Sequence, residues 1–332
     1  MRRLGLRKRT IALGAGAVIV LAGAAVLRFA VVPAVHQVPD DLDATARYAG
    51  TASMLNAAAL KSGDTKNAFV KGIPVTASQR VHVTGTDGGT AVVSEVLTVR
   101  APDGKKLRNA QHRYAIDRVN LDAAKPPQGS KAEEHQGLSV GFPLTPKKTS
   151  YPFWDAATQA TAPATYRKTV TAEGREAYVY HFQQMGKVAD RATLAALPKA
   201  LPKAQLKGLA AGQPKGKRDR LSAALGRLPD PVPVTYTSTA DTTFTIDRET
   251  GTPLRAAKSQ TVTANIAGGT PLAQVMDLRL NSTPASVKER AGDAADAARL
   301  LSLAKTVIPL SLLGLAVLLA VAAAWTARRR NA

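Results

Sequence analysis

Few residues in this chain have the types and spacing that catalysis needs. Gly137-Leu138-Ser139-Val140-Gly141 has the G-x-S-x-G form of a hydrolase nucleophile elbow. That elbow needs a strand before the serine and a helix after it, so that the hydroxyl sits on a sharp turn. Phe142-Pro143 follows at once and Pro146 comes three residues later, which prevents the helix. Glu133-Glu134-His135 has residue types for acid–base work, but adjacent residues on a polar loop rarely converge on one substrate atom. The histidines at 36, 82, 112, 135 and 181 lack ligand spacing, and the chain has no cysteine for a disulfide, a redox motif or a thiolate metal site. No phosphate loop or dinucleotide fingerprint is present. These residues predict a protein with no catalytic role, no metal and no cofactor.

Recognition is the better-supplied chemistry. Phe142, Lys148, Tyr151, Phe153, Trp154 and Asp155 cluster in a chain that is only 5% aromatic. They have two readings. The rings could plug one end of a sheet, with Asp155 capping a turn, which is the usual fate of aromatic clusters. Or they form a mouth, where apolar rings and Lys148 meet an amphiphilic ligand. A second candidate surface carries Lys199, Lys203 and Lys207 every four residues, with Leu194, Leu197 and Leu201 three or four apart. That spacing gives a cationic and an apolar stripe able to lie on a membrane surface. Pro198 and Pro202 oppose a continuous helix there, and residues 213–218 read as a solvated loop.

The elements that must position these residues lie between two apolar runs. Ile11 to Leu27 carries no charge and resumes after Arg28 until Pro33, and Thr306 to Ala327 is 22 residues without a charge. Each is long enough to span a bilayer core as a helix. Arg2, Arg3, Arg7, Lys8 and Arg9 precede the first run and Arg328, Arg329 and Arg330 follow the second. Cationic flanks stay in the cytoplasm, so both termini point inward and the long middle lies outside. The first run is longer than a signal-peptide core and lacks a clean cleavage site, which favours an anchor. The expected organisation is a basic tail at 1–10, a span at 11–33, an extracytoplasmic domain at 34–283, a juxtamembrane helix at 284–305, a span at 306–327 and a basic tail at 328–332. Ser282 or Thr283 caps the helix N-terminus with Pro284 at its first position, and Pro309 is its expected kink.

The outer domain reads as mainly β. Strands are expected at Val75–Thr86, Ala91–Arg100 and Lys105–Asp117, divided by Asp87-Gly88-Gly89 and Pro102-Asp103-Gly104. Ala164–Thr171 and Glu176–Gln184 flank Glu173-Gly174-Arg175. Val232–Ala240, Thr242–Asp247, Leu254–Ile266 and Gln274–Asn281 complete about nine strands, without βαβ alternation. The fold class is a large antiparallel sheet or sandwich, half-open if it wraps a ligand, with a basic Lys/Pro/Leu insertion at 190–230. The formal charge is +21, and the two tails with Arg28 leave +12 on the outer segment. That suits phospholipid heads, an envelope lipid or an anionic wall polymer. An extracytoplasmic position argues against nucleic acid.

Two apolar ends, Gly137-Leu138 through Phe142-Pro143, Lys148 through Tyr151-Pro152 to Asp155, and the late strand Phe244–Arg255 together resemble the actinobacterial PorA-type porin family, from about residue 11 to 325. The resemblance implies an N-terminal anchor, a β-rich outer domain, a C-terminal anchor and a link to envelope assembly or lipid handling. The Lys/Pro/Leu segment departs from the family, so ligand preference does not transfer. The hairpin around Asp247–Arg255 is also similar to the half-open sheets of bacterial lipoprotein carriers. The expected function is a non-catalytic, membrane-anchored domain of the cell envelope that binds or presents a lipid amphiphile. Its rival is a structural scaffold for a membrane protein partner. A porin, which would need apolar alternation on lipid-facing strands, and an enzyme rank below these.

Overall fold

The structure, a computed structural model, describes residues 36–56, 69–211, 215–266 and 269–331, with isolated positions 15, 16, 18–20, 22, 59, 62, 64 and 67. The chain divides into two compact units, residues 40–292 and a second formed by 1–39 with 293–332.

The first unit is built on one antiparallel sheet of ten strands. In chain order the strands are β1 (Asp43–Leu55), β2 (Phe69–Asp87), β3 (Thr90–Arg100), β4 (Lys106–Asp117), β5 (Tyr151–Asp155), β6 (Ala160–Ala172) and β7 (Arg175–Lys187). A short pair, β8 (Ala200–Leu201) and β9 (Val232–Pro233), stands apart, and β10 (Thr235–Asp247), β11 (Pro253–Ile266) and β12 (Thr270–Ser282) complete the sheet. The order across it is β4-β3-β2-β1-β12-β11-β10-β7-β6-β5. The expected meanders are present. Of the two expected forms, sheet and sandwich, the structure has the sheet: all ten strands belong to one curled sheet, which buries its inner side against itself.

The curl is visible in what touches across it. Tyr48, Val75 and Val99 on β1–β3 share a core with Phe153 on β5, Tyr180 on β7 and Phe244 on β10. Neighbouring strands lie about 4.8 Å apart, so a flat sheet would hold β3 and β7 some 29 Å apart. Burial alternates along β10 in the way that one inward and one outward face require. Its outward positions, Thr237, Thr239, Asp241 and Thr243, are polar.

The Lys/Pro/Leu segment is a helical cap rather than one stripe or loop. It comprises α1 (Arg191–Ala195), α2 (Lys203–Ala211) and α3 (Lys215–Gly226), interrupted at Pro198 and Pro202. Residues 215–218, expected as loop, lie in α3. Asp190 accepts from the backbone N–H groups of Thr193 (2.8 Å) and Ala192 (3.3 Å) and starts α1. Leu206, Ala210, Leu221 and Leu225 pack on Tyr236, Val262, Ile266 and Leu272, making a second apolar core on the sheet.

Helix α4 (Pro284–Ser302) begins as expected: Thr283 Oγ1 accepts from Ser286 N at 3.2 Å and Pro284 takes the first turn. Its opening turns bind β1, where Arg47 N donates to Ser286 Oγ (3.0 Å) and Arg47 pairs with Glu289 (2.5 Å). The ladder widens to a π turn at Leu303–Val307 before α5 (Ile308–Asn331). Proline clashes with the carbonyl four residues back, here that of Lys305, so the wider turn falls where Pro309 needs room. Between Pro284 and Arg328 this helical stretch is long and apolar enough to cross a membrane. The other expected span, 11–33, lies almost wholly outside the described residues.

Candidate functional site

The connection from β4 to β5, residues 118–150, bonds to both edges of the sheet. On the β4 side, Ala124 N donates to Ala115 O (2.8 Å) and Glu133 N to Arg113 O (2.7 Å). On the β5 side, Leu138 N donates to Pro152 O (2.8 Å) and Trp154 N to Leu138 O (2.7 Å). Glu133 and Leu138 are five residues apart, so the two edges lie within roughly 17 Å of each other. This strap satisfies edge groups that would otherwise stand open. The rings of His112, Tyr114, His135 and Trp154 follow one another across the seam at centroid spacings of 6.0, 4.8 and 6.3 Å.

The motif segments converge where the strap runs into β5. Gly137 has φ +66°, and a Cβ there would stand 2.4 Å from Pro152 O. Gly251, at φ +69° in the β10–β11 turn, lies under the Phe142-Pro143 backbone, where a Cβ would meet Pro143 O at 2.2 Å. Phe142 packs on Tyr180 (4.6 Å), Phe244 (5.6 Å), Tyr151 (5.7 Å) and Phe153 (5.8 Å). Both Phe142 and Phe153 are buried in the main core. Trp154 is half-buried on the seam. Asp155 caps the following turn, accepting from Thr158 N (2.9 Å) and Thr158 Oγ1 (2.7 Å). Lys148 stands over the rings of Tyr178 (5.3 Å) and Tyr166 (5.9 Å). In the structure Phe142, Tyr151 and Phe153 make an aromatic plug and Asp155 caps the turn beside it, while Trp154 lies against His135 and Lys148 over Tyr166 and Tyr178.

The three lysines do not form a stripe. Lys199 lies in the turn before β8, while Lys203 opens α2, its N–H donating to Asp230 Oδ1 (3.0 Å), and Lys207 follows one turn later. Lys199 and Lys207 are exposed and Lys203 is half-buried. Ser139 Oγ is buried with no hydrogen-bond partner, and Glu133, not its neighbour Glu134, engages a histidine.

A polar seam crosses the inner side of the curl, and sequence reasoning missed it. Lys258 Nζ on β11 donates to Gln79 Oε1 on β2 (2.5 Å), which also accepts from Tyr48 Oη (3.0 Å). Gln79 Nε2 donates to Glu95 on β3. Arg108 Nη1 on β4 reaches Gln260 Oε1 on β11 at 2.7 Å and Met276 Sδ on β12 at 3.5 Å. Gln260 Nε2 in turn donates to Ser238 Oγ (3.4 Å). Burial depresses the Arg108 pKa, and the more distant Asp190 and Asp155 charges only partly oppose that. The available signal was polarity on the wrong side of an alternating strand: Gln79 between Ala77 and Val81, Glu95 between Val93 and Leu97, Lys258 and Gln260 between Ala256 and Val262.

The strap carries a pH-sensitive contact. His112 Nδ1 lies 3.0 Å from Glu133 Oε2. Burial disfavours the imidazolium, but the Glu133 bond and the charges of Glu133, Glu95 and Asp190 outweigh it and raise the pKa above 6.5. The pair therefore stabilises the fold fully below that value and ceases to do so as pH rises through the folded value. His135 behaves oppositely, its pKa lowered chiefly by burial, so its share is lost as pH falls. His112→Gln isolates the first effect. It is expected to lower the unfolding midpoint by about 2–4 °C near pH 5.5, for about 1 kcal/mol in a domain of this size, and not at pH 9. Thermal melts of both proteins at the two pH values check this; equal shifts at both would rule out the charged pair.

No curated protein matches the chain. Among solved structures, similarity is found to RV0216 from Mycobacterium tuberculosis, a conserved hypothetical protein with a double hotdog fold, at 15% identity over 74% of this chain and 76% of that one, with a TM-score of 0.15. The full-length peroxisomal multifunctional enzyme type 2 from Drosophila melanogaster is similar at 12% identity and TM-score 0.15; the match covers 72% of this chain but only 37% of the enzyme. Likenesses this low carry no argument about fold or activity. The family model for Porin PorA, by contrast, matches residues 10–325, where it takes in the strap, both tight glycine contacts and the apolar C-terminal helix. The chain belongs to the Porin PorA family.

Proposed function

We propose that this is a non-catalytic, membrane-anchored protein of the cell envelope whose extracytoplasmic domain binds or presents a lipid amphiphile on the inner side of its curled sheet. The polar seam carries this reading. A core that served only to hold the fold would have no use for Lys258, Gln79, Glu95, Arg108 and Gln260 meeting across it. The apolar α5, with Leu310, Leu318, Val321 and Trp325 exposed, supports attachment to a bilayer. The basic flanks support a two-pass arrangement with both termini cytoplasmic.

The aromatic plug favours a second reading, a scaffold for a membrane protein partner, because Phe142 and Phe153 are buried in the main core, as the plug reading of this cluster requires and the mouth reading does not. A pore through the sheet has little support. Lipid-facing strands carry apolar outward residues, whereas β10 presents Thr237, Thr239, Asp241 and Thr243, and β11 presents Arg255, Ser259, Thr261 and Thr263. Phospholipid heads or an anionic wall polymer remain the partners proposed for the basic helical cap around Lys199, Lys203 and Lys207. Whether the full-length chain leaves its own envelope carrying a stoichiometric lipid tests the amphiphile reading, by native mass spectrometry with lipid extraction.

A further inference from the structure

The polar seam has an excess of donors where it could hold a ligand. Arg108 carries five N–H donors, and a buried guanidinium is ordinarily matched by a carboxylate. Here Nη1 meets only an amide oxygen and a thioether sulfur, and Arg108 has no carboxylate partner among the described residues. Its Nε and Nη2 take no acceptor among the described residues. Lys258 is placed in the same way: its ammonium meets Gln79 Oε1 and the face of Tyr48 (5.4 Å), with no carboxylate bonded to it among the described residues. Lys258 and Gln260 are two apart on β11, so they project from the same face about 7 Å apart. Gln260 holds Arg108.

The carboxylates nearby are committed. Asp155 serves Thr158, Asp190 starts α1, and Glu95 accepts from Gln79. Two cations therefore face the interior, each hydrogen-bonded only to neutral groups among the described residues, with Asp190, Asp155 and Glu95 acting on them from further away. The apolar walls on either side are Tyr48, Val99 and Leu278 of one core and Val262 and Met276 of the other.

We propose that the inner side of the curled sheet is an oxyanion site, in which Arg108 and Lys258 hold the carboxylate or phosphate head of an amphiphile whose chain lies along the apolar wall. This deepens the amphiphile reading and rests on it for the chain, while the head group is argued from the two cations alone. A guanidinium fork suits a planar or tetrahedral oxyanion, and an ammonium beside it adds a point charge.

The test titrates the full-length chain in maltoside micelles with octanoate, octyl phosphate, inorganic phosphate and uncharged octyl glucoside. Arg108→Met and Lys258→Met remove the charges while keeping chain volume, and Arg108→Lys keeps charge without the fork; thermal melts check that each variant folds. The two anionic amphiphiles are expected to bind the wild type and to lose about tenfold or more in affinity with either methionine variant. Arg108→Lys is expected to fall between, and octyl glucoside to be indifferent to all three substitutions. Inorganic phosphate binding with the same dependence would support the oxyanion site and assign it to a free anion rather than a lipid head. Equal anion affinity in wild type and Arg108→Met would overturn the proposal. So would anions that bind nowhere, and octyl glucoside binding would then leave the amphiphile reading standing without it.

Discussion

Asp247→Ala is expected to destabilise the sheet unit by about 3–5 kcal/mol, because it breaks a buried ion pair and a turn together. Asp247 is fully buried at the end of β10. Its carboxylate accepts from Arg175 Nε (2.5 Å) and Nη2 (3.1 Å), and from Glu249 N (3.0 Å), Thr250 N (2.8 Å) and Thr250 Oγ1 (2.9 Å). One side chain thus ties the β6–β7 hairpin, through Arg175, to the β10–β11 turn. Removal leaves the Arg175 guanidinium with Glu249 alone, at 3.2 Å and half-exposed. Asp247→Asn, which keeps the shape and part of the turn, should lose less. Burial opposes the charged carboxylate, but the Arg175 and Thr250 hydrogen bonds outweigh it and hold the pKa below 3.8. The stabilisation is therefore present above that value and lost as pH falls through the folded pKa. Urea titrations at pH 7 and at pH 3 or below should show a large gap between wild type and Asp247→Ala at the first and a small one at the second. A loss under 1 kcal/mol at pH 7 would mean that the turn holds without its carboxylate.

Phe142→Ala is expected to cost about 3–5 kcal/mol, the range for removing a buried aromatic ring from a packed core. Four rings contact Phe142, from β5, β7 and β10. Its backbone also lies against Gly251, so the same residue fixes the strap onto the turn that Asp247 organises. Phe142→Leu should retain most of the stability, since it keeps much of the volume. Trp154 sits on the seam beside this cluster, so its fluorescence in a denaturant titration reports the loss. A variant that unfolds like wild type would remove the plug from the core and return these rings to the ligand.

The hairpins of the sheet were readable because local turn chemistry fixes them. Asp87-Gly88-Gly89 and Glu173-Gly174 join strands at the expected places. Strand β1 was not seen: Asp43–Leu55 is built largely from Ala, Thr and Gly, with few branched or aromatic residues to signal a pleated surface. Pro152 hid β5, and proline is tolerated there because β5 is an edge strand. The capping role of Asp155 could be read from Asp155 and Thr158, three residues apart. The polar seam could not be read as a site, since Gln79, Arg108 and Lys258 are far apart in sequence and meet only when the sheet curls. Inward polarity within a strand was the local trace of a long-range contact.

Native mass spectrometry of the full-length chain, released in mild detergent from its own envelope and followed by lipid extraction, bears most directly on amphiphile binding. One lipid per chain, retained through purification and diminished in Arg108→Met, is the expected result. A wild-type chain that arrives at its bare sequence mass, with nothing in the extract above detergent controls, would contradict it and leave the packed scaffold in its place.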